Sequence, residues 1–243
     1  MSLLAQTSGT LVNVVAVLVG GTLGLWARGR LPERTTTTVM QAIGLATLFV
    51  GLSGATDLGR VDTPPGVVAA LLGLALGAAV GEGLRLQDRL DAVGERLRTR
   101  VRGEGRFTEG FVAATLLFLV GPLALIGSIQ NGLVGDPSFL IVKSTLDGVA
   151  SIVLAASFGW GVLASAAAVL LYQGGLSLGA GALAQWLPDP ATSPVVLLVN
   201  GTGGLLILGL GLGLLDVVTI RIANLLPGLL LAPLVWWALG FVL

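Results

Sequence analysis

Cysteine and histidine are both absent from the 243 residues of this chain. Their absence excludes disulfides, thiolate nucleophiles, His-ligated zinc and histidine acid–base chemistry. Ionic chemistry must therefore use carboxylates, amides, hydroxyls, the single lysine, arginines or backbone carbonyls. These groups suit protons and hard cations, so we expect no haem, no dedicated metal centre and no other cofactor.

Charge is also scarce. Charged residues make up 11% of the chain and hydrophobic residues 54%, whereas about 25% of a soluble domain is charged. The apolar runs are continuous, and at roughly 20 residues per helical span the chain has room for seven or eight spans and no sizeable soluble domain. The sequence therefore predicts an all-α polytopic membrane protein. The formal net charge of zero gives no support to nucleic-acid binding.

Gly and Pro residues interrupt several of the predicted spans. In the fourth span, Gly121-Pro122 and then residues 127–132 predict a kink or break that frees backbone carbonyls. A break at residues 157–159 gives eight spans if it separates two helices and seven if it bends one. In the third span, Gly73, Gly77 and Gly81 recur every four residues and predict a close contact with a neighbouring helix. The predicted spans cover about residues 10–27, 39–55 and 66–83, a fourth span that begins near 107, a fifth that follows the turn at 136–137 and carries residues 143–151, and then about 160–183, 194–215 and 223–242.

Arginines set the expected orientation. Three of them, Arg28, Arg30 and Arg34, follow the first span, and seven of the twelve lie between residues 85 and 106. By the positive-inside rule these segments are cytoplasmic and the N-terminus is outside. Residues 85–105 also carry an apolar stripe, which predicts an amphipathic helix on the cytoplasmic membrane surface. The stripe consists of Leu86, Leu90, Val93, Leu97 and Val101.

A polar group inside the fifth span is the strongest candidate site. On a helix, Ser144, Asp147 and Ser151 share one face, and Lys143 lies four residues before Asp147. A charge in hydrocarbon is costly unless it is paired or hydrated, so Asp147 is predicted to bind a cation or a proton. The alternative is that Asp147, neutralised by Lys143, only joins two helices.

Other polar residues extend this site. Ser128, Gln130 and Asn131 lie in the predicted break of the fourth span, and Asn13 and Asn200 lie in the first and seventh spans. Residues 10–24 also align without gaps on residues 145–159, with Asn13 and Asp147 at near-equivalent positions. This similarity predicts two repeated halves in parallel orientation, with the charged segment 85–105 between them and the site at their interface.

The chain resembles the YqgA/YdfK-type family of bacterial polytopic inner-membrane proteins over nearly its whole length. The resemblance implies a bacterial inner-membrane location and supplies no established activity. It rests on the following motifs: GTLVN at 9–13, GG at 20–21, FTEGFV at 107–112, GP at 121–122, GS at 127–128, KSTLDG at 143–148 and NLLP at 224–227.

Together these features predict a non-enzymatic protein that transports a small cation or a proton-coupled solute across the bilayer. One carboxylate among neutral oxygens suits a monovalent cation better than a divalent one, and no P-loop is present to support a primary pump. A scaffold or assembly protein is the first alternative. An intramembrane aspartyl protease using Asp147 and Asp216 is the second, although the topology places these carboxylates at opposite sides. Homo-oligomerisation stays open.

Overall fold

A computed structural model describes residues 2–30, 32–100, 106–120, 122–184 and 192–241. Within these ranges the regular structure is helical, which confirms the all-α prediction. A short 3₁₀ helix, Thr56–Arg60, follows α2. The helices are α1 (Leu3–Ala27), α2 (Glu33–Ala55), α3 (Gly66–Gly83), α4 (Leu86–Arg100), α5 (Phe107–Leu119), α6 (Pro122–Val134), α7 (Ser138–Phe158), α8 (Gly161–Ala184), α9 (Pro194–Leu214), α10 (Ile222–Leu225) and α11 (Gly228–Leu239).

The number of helices that can cross a membrane agrees with the sequence. In the part of the chain that the structure describes, seven helical segments are long and apolar enough to span a bilayer. An eighth span results if α5 and α6, which meet at a bend of 59°, form one broken span. The last span combines the short α10 with α11. The prediction of seven or eight spans is therefore confirmed.

The predicted breaks differ in outcome. Gly159 separates α7 from α8 with a φ of 86°, a backbone conformation that favours glycine, so two spans are present there. The bend between α5 and α6 falls at the predicted Gly121-Pro122, of which Gly121 lies outside the described residues. The predicted break at 127–132 is wrong, because these residues continue α6 as a regular helix.

The glycines of α6 serve packing, which explains why they do not break the helix. A Cβ placed on Gly132 would overlap the carbonyl oxygen of Ser177 on α8, and one on Gly127 would lie 3.0 Å from the Leu140 side chain on α7. Both glycines thus let α6 approach its neighbours closely. Ser128, Gln130 and Asn131 accordingly lie on a continuous helix and not beside freed carbonyls.

Burial along α1 is the reverse of that in a soluble protein. Its buried positions are mostly Gly, Thr and Asn, whereas leucines and valines such as Val15 and Leu23 are 57% and 52% exposed. The same holds elsewhere, as at Phe49, Leu171 and Leu230, which are each more than 70% exposed. A surface this apolar is incompatible with water and matches a lipid environment.

The chain divides into two compact units whose segments alternate along the sequence. Unit 1 comprises residues 1–43, 91–119 and 123–188, and unit 2 comprises residues 44–90, 120–122 and 189–243. The division passes through α2 and α4. The predicted sequential halves, before and after residues 85–105, therefore do not coincide with these units.

In unit 1, α1 and α7 pack closely and run in the same direction. A Cβ on Gly20 would overlap the carbonyl oxygen of Gly148, and one on Gly24 would overlap that of Ile152. Helix α8 packs against α1 in the opposite direction, with Gly21 beside Leu163 and Asn13 bonded to Gln173. Glycine seams thus hold three helices close enough for their polar side chains to meet.

In unit 2, the glycine seam of α3 packs against the last span, as predicted. Cβ atoms on Gly73, Gly77 and Gly81 would overlap the backbone at Ala232, Gly228 and Asn224 respectively. The order of these contacts shows that α3 runs antiparallel to α10 and α11.

Helix α4 covers most of the predicted amphipathic segment. Three residues of the apolar stripe, Leu86, Leu90 and Leu97, are half-buried, and Val93 is exposed. Val101, the fifth, lies outside the described residues, as do 102–105. The amphipathic helix is thus present from Leu86 to Arg100.

Candidate functional site

The centre of the site is an ion pair within α7. The Lys143 ammonium donates a hydrogen bond to Oδ2 of Asp147, one helical turn further along the chain. The two side chains are only 7% and 9% exposed. Both predicted charges are therefore buried together on the face of α7 that also carries Ser144 and Ser151.

Two amides from other helices join this pair. The Nδ2 group of Asn13, on α1, donates to Oδ2 of Asp147 at 2.9 Å and to Oε1 of Gln173, on α8, at 3.1 Å. Asn13 and Gln173 are both fully buried. One carboxylate oxygen thus accepts from two helices, and Asn13 connects α7 to α8.

Gln173 was not among the predicted site residues. Its signal in the sequence is an amide in the middle of an apolar span, the same feature that singled out Asn13. The sequence alone cannot distinguish an amide that faces the Asp147 carboxylate from one that joins helices elsewhere.

Several buried polar atoms around the pair have no hydrogen-bond partner among the described residues. They are Oγ1 of Thr10, Oδ1 of Asn13, Oγ of Ser151 and Nε2 of Gln173. Thr10 lies one turn from Asn13 on α1, and Ser151 lies one turn from Asp147 on α7. We call Thr10, Asn13, Lys143, Asp147, Ser151 and Gln173 the α1–α7–α8 cluster.

Buried polar atoms are normally hydrogen-bonded to protein or water, because a buried polar atom without a partner destabilises the fold by about 1–3 kcal/mol. Three of the four unpaired atoms of the cluster are oxygens, which can accept hydrogen bonds or bind a cation. The cluster thus offers neutral oxygens beside one carboxylate.

The described helices around the ion pair carry few other ionisable side chains. Helices α1 and α6 contain no ionisable side chain. Helix α5 carries only Glu109, an exposed residue paired with Arg106, and α8 carries only Tyr172. The Lys143 ammonium lies 5.9 Å from the ring centroid of Phe118, whose π face gives it modest further stabilisation.

Ser144 and Ser128 are two further predicted site residues of unit 1. The Ser144 hydroxyl donates to the Leu140 carbonyl at 2.5 Å, which leaves its lone pairs able to accept. Ser128 is fully buried, and its hydroxyl is unpaired among the described residues. Neither contacts the Asp147 carboxylate through a hydrogen bond.

Asn131 is a structural link between α6 and the start of α1. Its Oδ1 accepts from the Gly9 N–H at 2.9 Å, and its Nδ2 donates to the Ala5 carbonyl at 3.0 Å and to Ser8 Oγ at 3.2 Å. Because both ends of this buried amide are satisfied, it has little capacity left for a ligand.

Gln130 lies towards the α6–α7 loop. It donates to Asp136 at 2.9 Å, and the hydroxyl and the backbone N–H of Ser138 donate to the same carboxylate. These hydrogen bonds, with the Ser138 hydroxyl contributing most, hold the pKa of Asp136 below its ordinary value. Gln130 therefore stabilises the turn into α7.

Asn200 lies in unit 2, on α9. It is 3% exposed, and its Oδ1 has no partner within the described residues, like Oγ1 of Thr202. Among the predicted residues, the structure thus brings together Asn13, Lys143 and Asp147, with Ser144 and Ser151 on the same face of α7.

A second polar cluster lies in unit 2, where α3 meets α10. Glu82 accepts from Arg221 at 3.0 Å and from Nδ2 of Asn224 at 2.5 Å. Asn224 Oδ1 in turn accepts from the Gln87 N–H at 2.7 Å, and Gln87 Oε1 accepts from the Ala223 N–H at 3.2 Å. The two amides thus satisfy backbone donors in the first turns of α4 and α10.

The apolar exterior, the helical spans and the buried ion pair define a polytopic α-helical membrane protein with a charged group in its interior. The chain belongs to the family described as "Protein of unknown function (DUF554)", which matches residues 8–237. This result confirms the predicted resemblance.

Two relatives match over almost their whole length. The chain is 32% identical over 231 residues to the uncharacterized protein YqgA of Escherichia coli (strain K12), covering 92% of this chain and 94% of that protein. It is 29% identical over 227 residues to the uncharacterized membrane protein YdfK of Bacillus subtilis (strain 168), covering 93% and 94%. No solved structure matches the chain.

Proposed function

We propose that this protein transports a small cation, or a small solute coupled to protons, with Asp147 as the charged ligand. The supporting observation is the α1–α7–α8 cluster, in which a buried carboxylate is surrounded by polar atoms from three helices. Lys143 acts as the counter-charge, and Asn13, Thr10 and Ser151 supply neutral oxygens. All of these residues lie in unit 1, and Asn200, on α9 of unit 2, has no role at this site.

The physical reason is that the cluster contains more polar groups than helix packing needs. A lock between two helices requires only the ion pair and one amide donor. Thr10, Ser151 and the free ends of Asn13 and Gln173 add unmet polar atoms that would destabilise an internal lock. Water, a proton or a cation would satisfy them, as expected along a transport path.

The chemistry of the cluster favours a monovalent ion. One carboxylate neutralised by one ammonium, with amide and hydroxyl oxygens, provides less negative charge than divalent cations usually attract. For the rival protease, a dyad requires two carboxylates that share a proton. In this structure the hydrogen-bonded partners of Asp147 are a lysine and an amide.

The setting of this activity is the bacterial inner membrane, with the arginine-rich segments in the cytoplasm and the N-terminus outside. The protein would act as a carrier or channel and not as an enzyme, with the lipid bilayer and the transported ion as its partners. A scaffold without transport is the rival, and it predicts that no flux depends on Asp147.

The test is flux in proteoliposomes that contain the purified protein. Uptake of Li⁺, Na⁺, K⁺ and protons is compared for the wild type, Asp147→Asn and the control Asp88→Asn, whose side chain is exposed on α4. We expect flux in the wild type and the control, and a loss of at least tenfold in Asp147→Asn. Equal flux in all three would refute the role of Asp147, and no flux above empty liposomes would favour the scaffold.

A further inference from the structure

We infer that a monovalent cation and a proton of Lys143 exchange at Asp147, one for one, so that the site carries the same charge before and after. This inference rests on the proposed transport function and specifies its coupling. It follows from three features of the α1–α7–α8 cluster: its charge balance, the sharing of one carboxylate oxygen, and the chemistry of its donors.

Among the described helices packed around the pair, no second group compensates an added charge. Lys143 and Asp147 together carry no net charge, so a bound cation would leave one uncompensated positive charge in a buried site, which is strongly unfavourable. Helices α1 and α6 have no ionisable residue, and Glu109 of α5 is exposed and paired with Arg106.

Tyr172 on α8 is the remaining ionisable group. It is 37% exposed, directly adjoins Gln173 in the chain and therefore points away from the helix face that carries Gln173. Lys143 is thus the group that can restore neutrality by losing a proton.

The geometry shows which of the two hydrogen-bond donors of Asp147 a cation can replace. Oδ2 of Asp147 accepts from both Lys143 and Asn13. Asn13 is held by its second bond to Gln173 and cannot lose a proton, whereas the lysine ammonium lies on a flexible stem and can. Two oxygens of the same cluster, Oδ1 of Asn13 and Oγ of Ser151, are buried and have no hydrogen-bond partner among the described residues.

The exchange conserves atoms, electrons and charge. A cation M⁺ forms a contact with the Asp147 carboxylate, and one N–H bond of the Lys143 ammonium breaks. The electron pair stays on Nζ, which becomes a neutral amine, and the proton leaves to water. Reversal of these steps releases M⁺ and takes up one proton, so no oxidant, reductant or further reactant is needed.

The experiment measures protons released when a cation binds. Purified full-length protein in weakly buffered detergent with a pH indicator is titrated with LiCl, NaCl or KCl, with choline chloride as the control for ionic strength. Cation binding is measured in parallel by equilibrium dialysis. For the wild type we expect about one proton released per cation bound, and for Asp147→Asn neither binding nor release.

The decisive variant is Lys143→Arg. A guanidinium keeps the ion pair and so the fold, but it does not lose its proton in a protein. We expect Lys143→Arg to melt as the wild type does and to lose cation binding by at least tenfold, with no proton release. Proton release equal to that of the wild type in this variant would overturn the inference.

Two further outcomes separate the inference from the proposed function. Cation binding without proton release, together with flux that generates a membrane potential in proteoliposomes, would overturn the exchange and leave transport standing. Absence of binding for all three cations would overturn both the exchange and the cation form of the proposed function.

Discussion

Removing one member of the Lys143–Asp147 pair should destabilise the protein far more than removing both. In Lys143→Met, Asp147 keeps Asn13 as a donor but loses its counter-charge, while its side chain remains in a site that is only 9% exposed. Breaking a buried pair in this way costs about 3–5 kcal/mol. Protonating an unpaired aspartate at neutral pH costs on the order of 4 kcal/mol, which limits the loss. We therefore expect about 3–4 kcal/mol.

The double variant Lys143→Met/Asp147→Asn removes both charges and keeps a polar side chain near Asn13. Because no lone charge remains buried, we expect its loss to be within about 1 kcal/mol of the wild type. Unfolding free energies of the wild type, both single variants and the double variant in mixed detergent micelles complete a double-mutant cycle. Because either single variant should lose about 3–4 kcal/mol, we expect a coupling energy of at least about 5 kcal/mol. If the single losses simply add, with coupling below about 0.5 kcal/mol, the pair is not buried as described.

Three smaller effects can be measured by thermal melting in detergent. Gly20→Ala places a Cβ against a backbone carbonyl and should lower the free energy of unfolding by about 1–3 kcal/mol. Gly179→Ala, with open space around it, should change that free energy by less than about 1 kcal/mol, and equal effects of the two variants would contradict the glycine seam. Asn224→Ala removes the hydrogen bonds of a buried amide to the Gln87 N–H and to Glu82, and should cost about 1–3 kcal/mol. Arg221→Ala breaks only an exposed ion pair and should cost less than about 1 kcal/mol, so a larger loss in Arg221→Ala than in Asn224→Ala would contradict the structure of this cluster. Asp136 has a lowered pKa in the folded state, so the stability that its carboxylate contributes is present above the unfolded pKa of about 3.9 and is lost as the pH falls below that value. Asp136→Asn should therefore lose less stability than the wild type when the pH falls below about 4. An unchanged dependence of stability on pH would contradict this.

The break at Gly159 and the failed break at 127–132 show what glycine alone can predict. Both segments combine glycine with polar residues inside an apolar run. Gly159 needs a positive φ and ends a helix, while Gly127 and Gly132 lie in helical backbone and provide room for Leu140 and Ser177. The choice depends on which helix passes nearby, and the local sequence does not contain that information.

The candidate site likewise contains one contact that the sequence predicts and one that it does not. The pairing of Lys143 with Asp147 could be predicted because both lie on one helix, where a separation of four residues fixes their proximity. Gln173 could not be predicted, because its contact with Asn13 joins residues 160 positions apart. The same limit applies to the hydrogen bonds of Asn131 to Gly9, Ala5 and Ser8, which join residues more than 120 positions apart.

The sequence by itself determined that this chain enters a membrane, where its spans lie and which side chain carries a buried negative charge. These properties follow from composition, run length and helical spacing, each of which is local. Only the tertiary structure decided that α1, α7 and α8 bring Asn13, Asp147 and Gln173 together, and that each compact unit combines segments that are distant from one another in the chain. Those outcomes depend on which glycine seams fit one another, and close packing between distant segments is a property of the folded backbone.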